Sequence, residues 1–281
     1  MSEVRQRWRI VFARGEDARF LSHLDAVRSW ERAFRRGEIP VATSEGFSPR
    51  SKLVFAAPLQ LGMLAEHELA DLYLAERLTA PGLRERLTAS MPRGYTVVEL
   101  HDVWAGAPAL APRLVAADYR MTLLNVDPAR LESAVRRLLA MGELPRERRK
   151  DARVVRYNLR PLLLDLRAGQ PDAATGVAIA AGTVTAAGAT SAPGVVAAAG
   201  LWMRLRHSQN LGSGRPDEVI SALAEELGMR PQPAAGTGED GERADAPAPG
   251  AEPVPAEVSL QPQLETIRPV RERLWLDDEL V

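Results

Sequence analysis

Within one turn of chain, Ser22, His23 and Asp25 bring together a hydroxyl, an imidazole and a carboxylate. Positions this close on one backbone cannot form a nucleophile–base–orienter relay, which needs side chains converging from separate places. Their spacing suits a helix start instead. Ser22 precedes an apolar-periodic run, and Asp25 follows three places later, a capping-box spacing with Asp where Glu or Gln is usual. His23 then sits at a helix N-terminus, where oriented N–H groups attract anions and an imidazole exchanges protons near neutral pH. Two roles stay open for it: a general base or phosphate contact, and a residue that fixes helix entry by hydrogen bonding.

Basic residues gather in two places. Arg19, Arg28, Arg32, Arg50 and Lys52 form the first group; Arg146, Arg148, Arg149, Lys150, Arg153 and Arg156 form the second. Residues 1–60 carry a net charge of +4 and residues 144–167 a net of +5, whereas 231–262 carry −5, so the overall balance of −1 conceals them. Guanidinium groups match phosphate oxygens bidentately, and a groove lined by them would hold an RNA backbone. Ser44, Gly46 and Pro49 build a tight turn that carries Phe47 beside Arg50. Phe47 is either a stacking platform for an unpaired base or an anchor that tucks the turn onto a sheet. A solvated face is the plain alternative for the charges themselves. Arg215 closes the loop Asn210-Leu211-Gly212-Ser213-Gly214, whose amides suit a phosphate. Its spacing matches neither the P-loop nor the dinucleotide fingerprint, and a plain flexible turn is the favoured reading.

The sequence holds no cysteine, which excludes disulfides and any cysteine-ligated iron–sulfur cluster in these residues. His23, His67, His101 and His207 are dispersed, so no metal arrangement is expected, and no cofactor either. The N-terminus lacks the apolar core of a secretory signal. Residues 173–203 are uncharged but are dominated by small residues and contain Pro193, a poor membrane span. A cytoplasmic protein without membrane contact is expected.

The elements that must position these residues repeat one order. Trp8–Ala13 alternates as a strand, and a helix from Ser22 should bury Leu24, Val27, Trp30 and Phe34 and end at Gly37. Lys52–Ala56 and His67–Ala75 read as strands, Thr79–Met91 as a helix with Leu83 and Leu87 inward, and Tyr95–Val103 as a strand. This β-α-β-β-α-β order suits a ferredoxin-like sandwich over residues 1–103. Residues 104–117 read as a linker. A second pass over 118–281 begins with a strand at Tyr119–Val126 and a helix after Asp127. It continues with strands at Arg153–Arg167 and Leu201–His207, a helix from Arg215 to Leu227, and a closing strand at Ile267–Leu276. Low-complexity inserts at 169–200 and 231–262 interrupt it and should be mobile. The expected fold class is therefore α+β, with two tandem ferredoxin-like sandwiches.

Three motifs carry a resemblance: Arg19-Phe20-Leu21-Ser22-His23-Leu24-Asp25, Ser44-Glu45-Gly46-Phe47-Ser48-Pro49 and Pro58-Leu59-Gln60-Leu61-Gly62. Together they resemble the radical-SAM-linked protein family, bacterial domains of unassigned activity found beside or fused to a radical SAM enzyme. The likeness is strong through residues 7–103 and weaker to the end. It departs at Arg50, where the pattern has His, and at Asn158, where Asp precedes the motif matched by Leu159-Arg160-Pro161. The radical reaction needs a cluster on three cysteines, so this chain would serve a separately encoded radical SAM enzyme. The leading expectation is an RNA-binding adaptor, for tRNA or rRNA, using Arg19, Ser22, His23, Asp25, Arg28, Arg32, Ser44, Gly46, Phe47, Pro49, Arg50, Lys52, Arg149, Lys150, Arg160 and Arg215. Tandem ferredoxin-like domains also look like CRISPR repeat-processing endoribonucleases, in which His23 would be the base and Lys52 the transition-state stabiliser. A pure protein-interaction module is the third reading.

Overall fold

The computed structural model describes residues 4–44, 49–150, 153–171, 178–180, 183–185, 196–208, 211–231 and 263–277. The first elements are β1 (Gln6–Arg14), α1 (His23–Arg36), β2 (Leu53–Phe55), β3 (Leu64–Leu74), α2 (Ala80–Ser90) and β4 (Tyr95–Val103). Next come β5 (Leu114–Leu124), α3 (Pro128–Ala140), β6 (Pro145–Lys150), β7 (Arg153–Asn158), β8 (Leu163–Gly169), β9 (Ala178–Ala180) and β10 (Thr183–Thr185). The last are β11 (Val196–Ser208), β12 (Gly212–Ser213), α4 (Pro216–Leu227), β13 (Arg230–Pro231) and β14 (Gln263–Leu276).

Twelve of these strands join one sheet with the path β4-β1-β3-β14-β5-β11-β10-β9. β2 pairs with β3, β8 and β12 with β11, and β13 with β14, while β6 and β7 form a separate hairpin. Pairing is antiparallel except for β14 against β3 and β13 against β14. The fold is mixed α+β, with a mostly antiparallel sheet and four α-helices among the described residues. The last long strand ties the chain together: β14 lies between β3 of the first half and β5 of the second.

Local chemistry explains the helix ends. Ser22, Thr79 and Asp127 are N-caps whose side chains accept backbone N–H bonds, and Pro81 and Pro128 occupy first-turn positions. Gly228 takes the left-handed conformation at φ 66° that ends α4. Gly37 ends α1 for a different reason: its φ is −84°, and a Cβ there would meet Ser90 Oγ at 2.6 Å. Glycine is required at that point by the close approach of α2.

α1 and α2 bury Trp30, Phe34, Leu83 and Leu87 against Trp8, Ile10 and Phe12 of β1 and Ala70, Leu72 and Leu74 of β3. Aromatic rings knit this core edge to face, Phe12 to Trp30 at 4.8 Å and Trp30 to Phe55 at 5.3 Å. α3 and α4 contribute Leu131, Leu138, Val219 and Leu223 to a second cluster with Met121, Leu123, Leu201 and Met203.

Three expectations need correction. Leu24 is 60% exposed, not buried. It lies about 120° round α1 from Trp30 at 3.6 residues per turn, and so falls on the outer face. β5 begins at Leu114 inside the expected linker, because Pro112 sits in a short 3-10 turn, Ala111–Arg113, that delivers the chain straight into the sheet. β11 starts at Val196, within the expected insert at 169–200, where Ala198 and Leu201 pair with β5. Most of the other insert, 231–262, lies outside the described residues, as does Asn210.

Candidate functional site

At the head of α1 the Ser22 hydroxyl receives the Asp25 N–H at 3.2 Å and donates to the Asp25 carboxylate at 2.7 Å. Asp25 also faces Arg28 at 3.6 Å. Arg19 pairs with Glu16 at 2.7 Å and lies over the Phe20 ring, 4.4 Å from its centroid. His23 is exposed at its outer edge while its ring packs edge-on to Phe55 at 5.6 Å. Further along the helix Arg28, Arg32 and Arg35 are exposed, and with Leu24 they fall on one side. Phe20, just before the helix, is 68% exposed beneath the Arg19 guanidinium.

The turn after Val41 is closed by Ser44, whose N–H donates to the Arg50 carbonyl at 2.8 Å and whose hydroxyl accepts the Arg50 N–H at 3.1 Å. Pro49, Arg50 and Lys52 are exposed; Gly46 and Phe47 lie outside the described residues. The Lys52 ammonium stands over the Tyr73 ring at 4.9 Å. Leu53 and Phe55 turn into the α1 core, so Lys52 and His23 lie against opposite faces of β2. The geometry does not assemble them as base and transition-state stabiliser.

The second basic group occupies the β6–β7 hairpin, in which Arg146 pairs with Glu225 of α4 at 3.0 Å and Arg156 with Glu147 at 2.6 Å. The side chains of Arg149 and Lys150 lie outside the described residues. Arg160 is structural: its guanidinium donates to the carbonyls of Leu163 at 3.0 Å and Leu139 at 3.3 Å. Arg215 occupies the N-cap position of α4 without a side-chain capping bond. Two cavities are described. One is shallow, beside Arg130, Arg137 and Glu226; the other is at the head of α1, and neither takes in an arginine of both basic groups.

What the sequence reading missed is a buried polar junction between the halves. Arg271 of β14 is 3% exposed and donates through Nε to Glu68 at 2.6 Å, with a second bond from Nη2 to the same carboxylate. It also reaches the carbonyls of Pro58 at 3.1 Å and Ala57 at 3.4 Å. Burial depresses its pKa, yet the charge of Glu68 and the hydrogen-bonded Tyr119 outweigh burial, so the net shift is upward and the guanidinium stays charged. Arg14 of β1 holds the adjoining loops, donating to the carbonyls of Arg19 at 2.7 Å and Gln60 at 3.0 Å. Burial lowers its pKa. Two of the motif loops, 19–25 and 58–62, are thus cinched from beneath by two arginines outside them. Gln60 in turn donates to Asp217 of α4 at 3.3 Å, which links the loop to the second half.

Tyr95 and Tyr119 at this junction have raised pKa values because they are buried. His207 hydrogen-bonds Ser213 at 2.9 Å, and burial, helped by the charge of Arg271, holds its pKa down at about 4. Among the described residues no group of three or more His, Cys, Asp or Glu side chains is placed to hold a metal ion. No described helix is long and apolar enough to cross a membrane.

The family described as "Uncharacterized protein conserved in bacteria (DUF2344)" matches residues 7–191. No curated protein matches the chain. Among solved structures, the crystal structure of an unknown protein from Galdieria sulphuraria aligns over 79% of this chain and 94% of its own at 14% identity, with a TM-score of 0.23. By the family match, which spans well over half its length, the chain belongs to DUF2344.

Proposed function

We propose that this member of the family is an RNA-binding adaptor that presents its RNA to a radical SAM enzyme carried on a separate polypeptide. The observation that supports RNA is the outer side of α1. Arg28, Arg32 and Arg35 project there at successive turns, and the exposed Leu24 continues the strip. Such a row of guanidinium groups on one helix face matches the repeat of charge along a phosphate backbone, and the apolar end offers a surface to unstacked bases. The radical SAM partner rests on the motif resemblance and on the lack of cysteine in these 281 residues. The tandem ferredoxin-like reading belongs to the same proposal: β4-β1-β3-β2 and β14-β5-β11-β8 repeat one strand order in the two halves.

The β6–β7 hairpin is left out of the RNA surface, because Arg146 and Arg156 hold Glu225 and Glu147 at 3.0 and 2.6 Å, closer than the 3.6 Å between Arg28 and Asp25. The purified chain is expected to carry RNA that salt removes. Arg28→Glu with Arg32→Glu should strip most of it at the same salt without altering the circular dichroism spectrum. Equal RNA retention by this double variant eliminates α1 as the binding face. Pull-down of the radical SAM enzyme after nuclease treatment addresses the partner: loss of the enzyme supports an RNA bridge, and its retention points to direct protein docking.

A further inference from the structure

A small cavity opens between the head of α1, β2 and β4, with a volume of about 20 Å³. Arg14, Tyr95, Glu68 and His23 supply its polar lining, and Phe12 and Phe55 its apolar walls. Arg14 and Tyr95 are 97% and 93% buried, the complements of their 3% and 7% exposures. Yet Arg14 Nε and Tyr95 Oη find no partner of good hydrogen-bond geometry: the guanidinium and the phenol meet each other only loosely, which leaves an N–H and an O–H unspent. Buried polar atoms are almost always paired, and leaving one unpaired costs about 1–3 kcal/mol. Two such donors around a single cavity mark a place where an acceptor belongs.

The charges define the acceptor. Glu68 is bound in two-pronged fashion by Arg271, so its oxygens are engaged, and Arg14 leaves the group with a net positive charge. The cavity sits beneath the N-terminus of α1, a fourteen-residue helix whose dipole adds to that field. Burial raises the Tyr95 pKa and so keeps its hydroxyl a donor.

We propose that this cavity is a socket for one oxygen of a phosphate group, held by Arg14 Nε and Tyr95 Oη. A volume of about 20 Å³ admits a single water-sized atom. The remaining oxygens therefore stay at the mouth, where the exposed edge of His23 meets them. The socket stands on the cavity alone and does not require the RNA reading of the α1 surface.

The test uses the full chain and inorganic phosphate, with sodium chloride holding ionic strength constant and sodium acetate as a parallel series. Thermal unfolding midpoints should rise with phosphate as the logarithm of one plus its concentration over the dissociation constant. Tyr95→Phe should raise the dissociation constant read from that curve about tenfold, the effect of losing one hydrogen bond to a charged acceptor. Because that hydroxyl meets only the Arg14 guanidinium, which keeps its carbonyl partners without it, the variant keeps its fold, whereas Arg14→Lys disturbs the loops that Arg14 also holds. A short single-stranded RNA identifies the source. Competition between it and phosphate, lost in Tyr95→Phe, assigns the phosphate to a nucleic-acid backbone; saturable phosphate binding without competition assigns it to a free phosphate compound. No logarithmic rise with phosphate, the same response to acetate, or an unchanged Tyr95→Phe titration would each overturn the proposal. Arg28→Glu with Arg32→Glu should leave the phosphate titration intact, so failure of the α1 surface and failure of the socket are separable.

Discussion

His207 is the side chain whose environment makes the sharpest statement about pH. Its ordinary pKa of 6.5 falls to about 4 in the fold because burial, then the charge of Arg271, disfavours the imidazolium. The unfolded chain therefore binds the proton first as pH drops. Stability contributed by the neutral imidazole is complete above pH 6.5, declines between 6.5 and 4, and is constant below. Its ceiling is about 3 kcal/mol from the size of the displacement, and partial exposure reduces that to about 2 kcal/mol. His207→Gln should flatten the difference between urea unfolding curves taken at pH 7 and pH 5 relative to wild type. Parallel pH dependence in the two proteins would show that His207 is not held neutral. Little of this scale was legible in advance. Arg14 and Arg271 read as ordinary strand arginines, because nothing in a lone arginine reveals that its partners are carbonyls and a carboxylate from distant loops. Their signal is only the apolar company they keep, Phe12 beside Arg14 and Leu274 beyond Arg271.

Elements were far more legible, since their signals are local. Ser22, Thr79 and Asp127 marked helix starts that the backbone confirms with side-chain bonds, and the alternation at Trp8–Ala13 marked β1. Boundaries failed where tertiary pairing overrides composition. Ala- and Gly-rich sequence carries no strand signal, yet Ala198 to Gly200 pair with β5 because Leu123 and Met121 need a partner strand. Leu24 was misplaced because apolar character was read as inward direction. Gly37 gives an element-scale prediction. A methyl at that position meets Ser90 Oγ at 2.6 Å and the Arg86 carbonyl at 3.1 Å, so Gly37→Ala forces α1 and α2 apart. Overpacking of this kind costs about 1–3 kcal/mol, measurable as a lower urea midpoint. Gly37→Ala with wild-type stability would mean that α2 yields freely there.

Across the whole molecule, β14 is the strand that joins the first half of the chain to the second. A closing strand was expected; that it would also lie parallel to β3 and fuse two sheets was not, since strand neighbours far apart in sequence leave no periodic trace. Arg271 on that strand secures the seam through Glu68. Arg271→Met should cost about 3–5 kcal/mol by leaving the Glu68 carboxylate buried without a partner, and adding Glu68→Leu should restore much of it. A double variant as unstable as the single would show that the carbonyls of Ala57 and Pro58 matter more than the ion pair.

The surface of α1 carries the functional account, and its charge makes a quantitative demand. Each phosphate contact steepens the dependence of the logarithm of affinity on the logarithm of salt by about 0.7 for a single strand. Fluorescence anisotropy of a labelled single-stranded RNA, titrated with the full chain at several salt concentrations, measures that slope. Removing Arg28 and Arg32 as glutamines should weaken binding and make the slope shallower by about 1.4. An identical slope in wild type and variant, or no salt-sensitive binding by the wild type, would contradict the account.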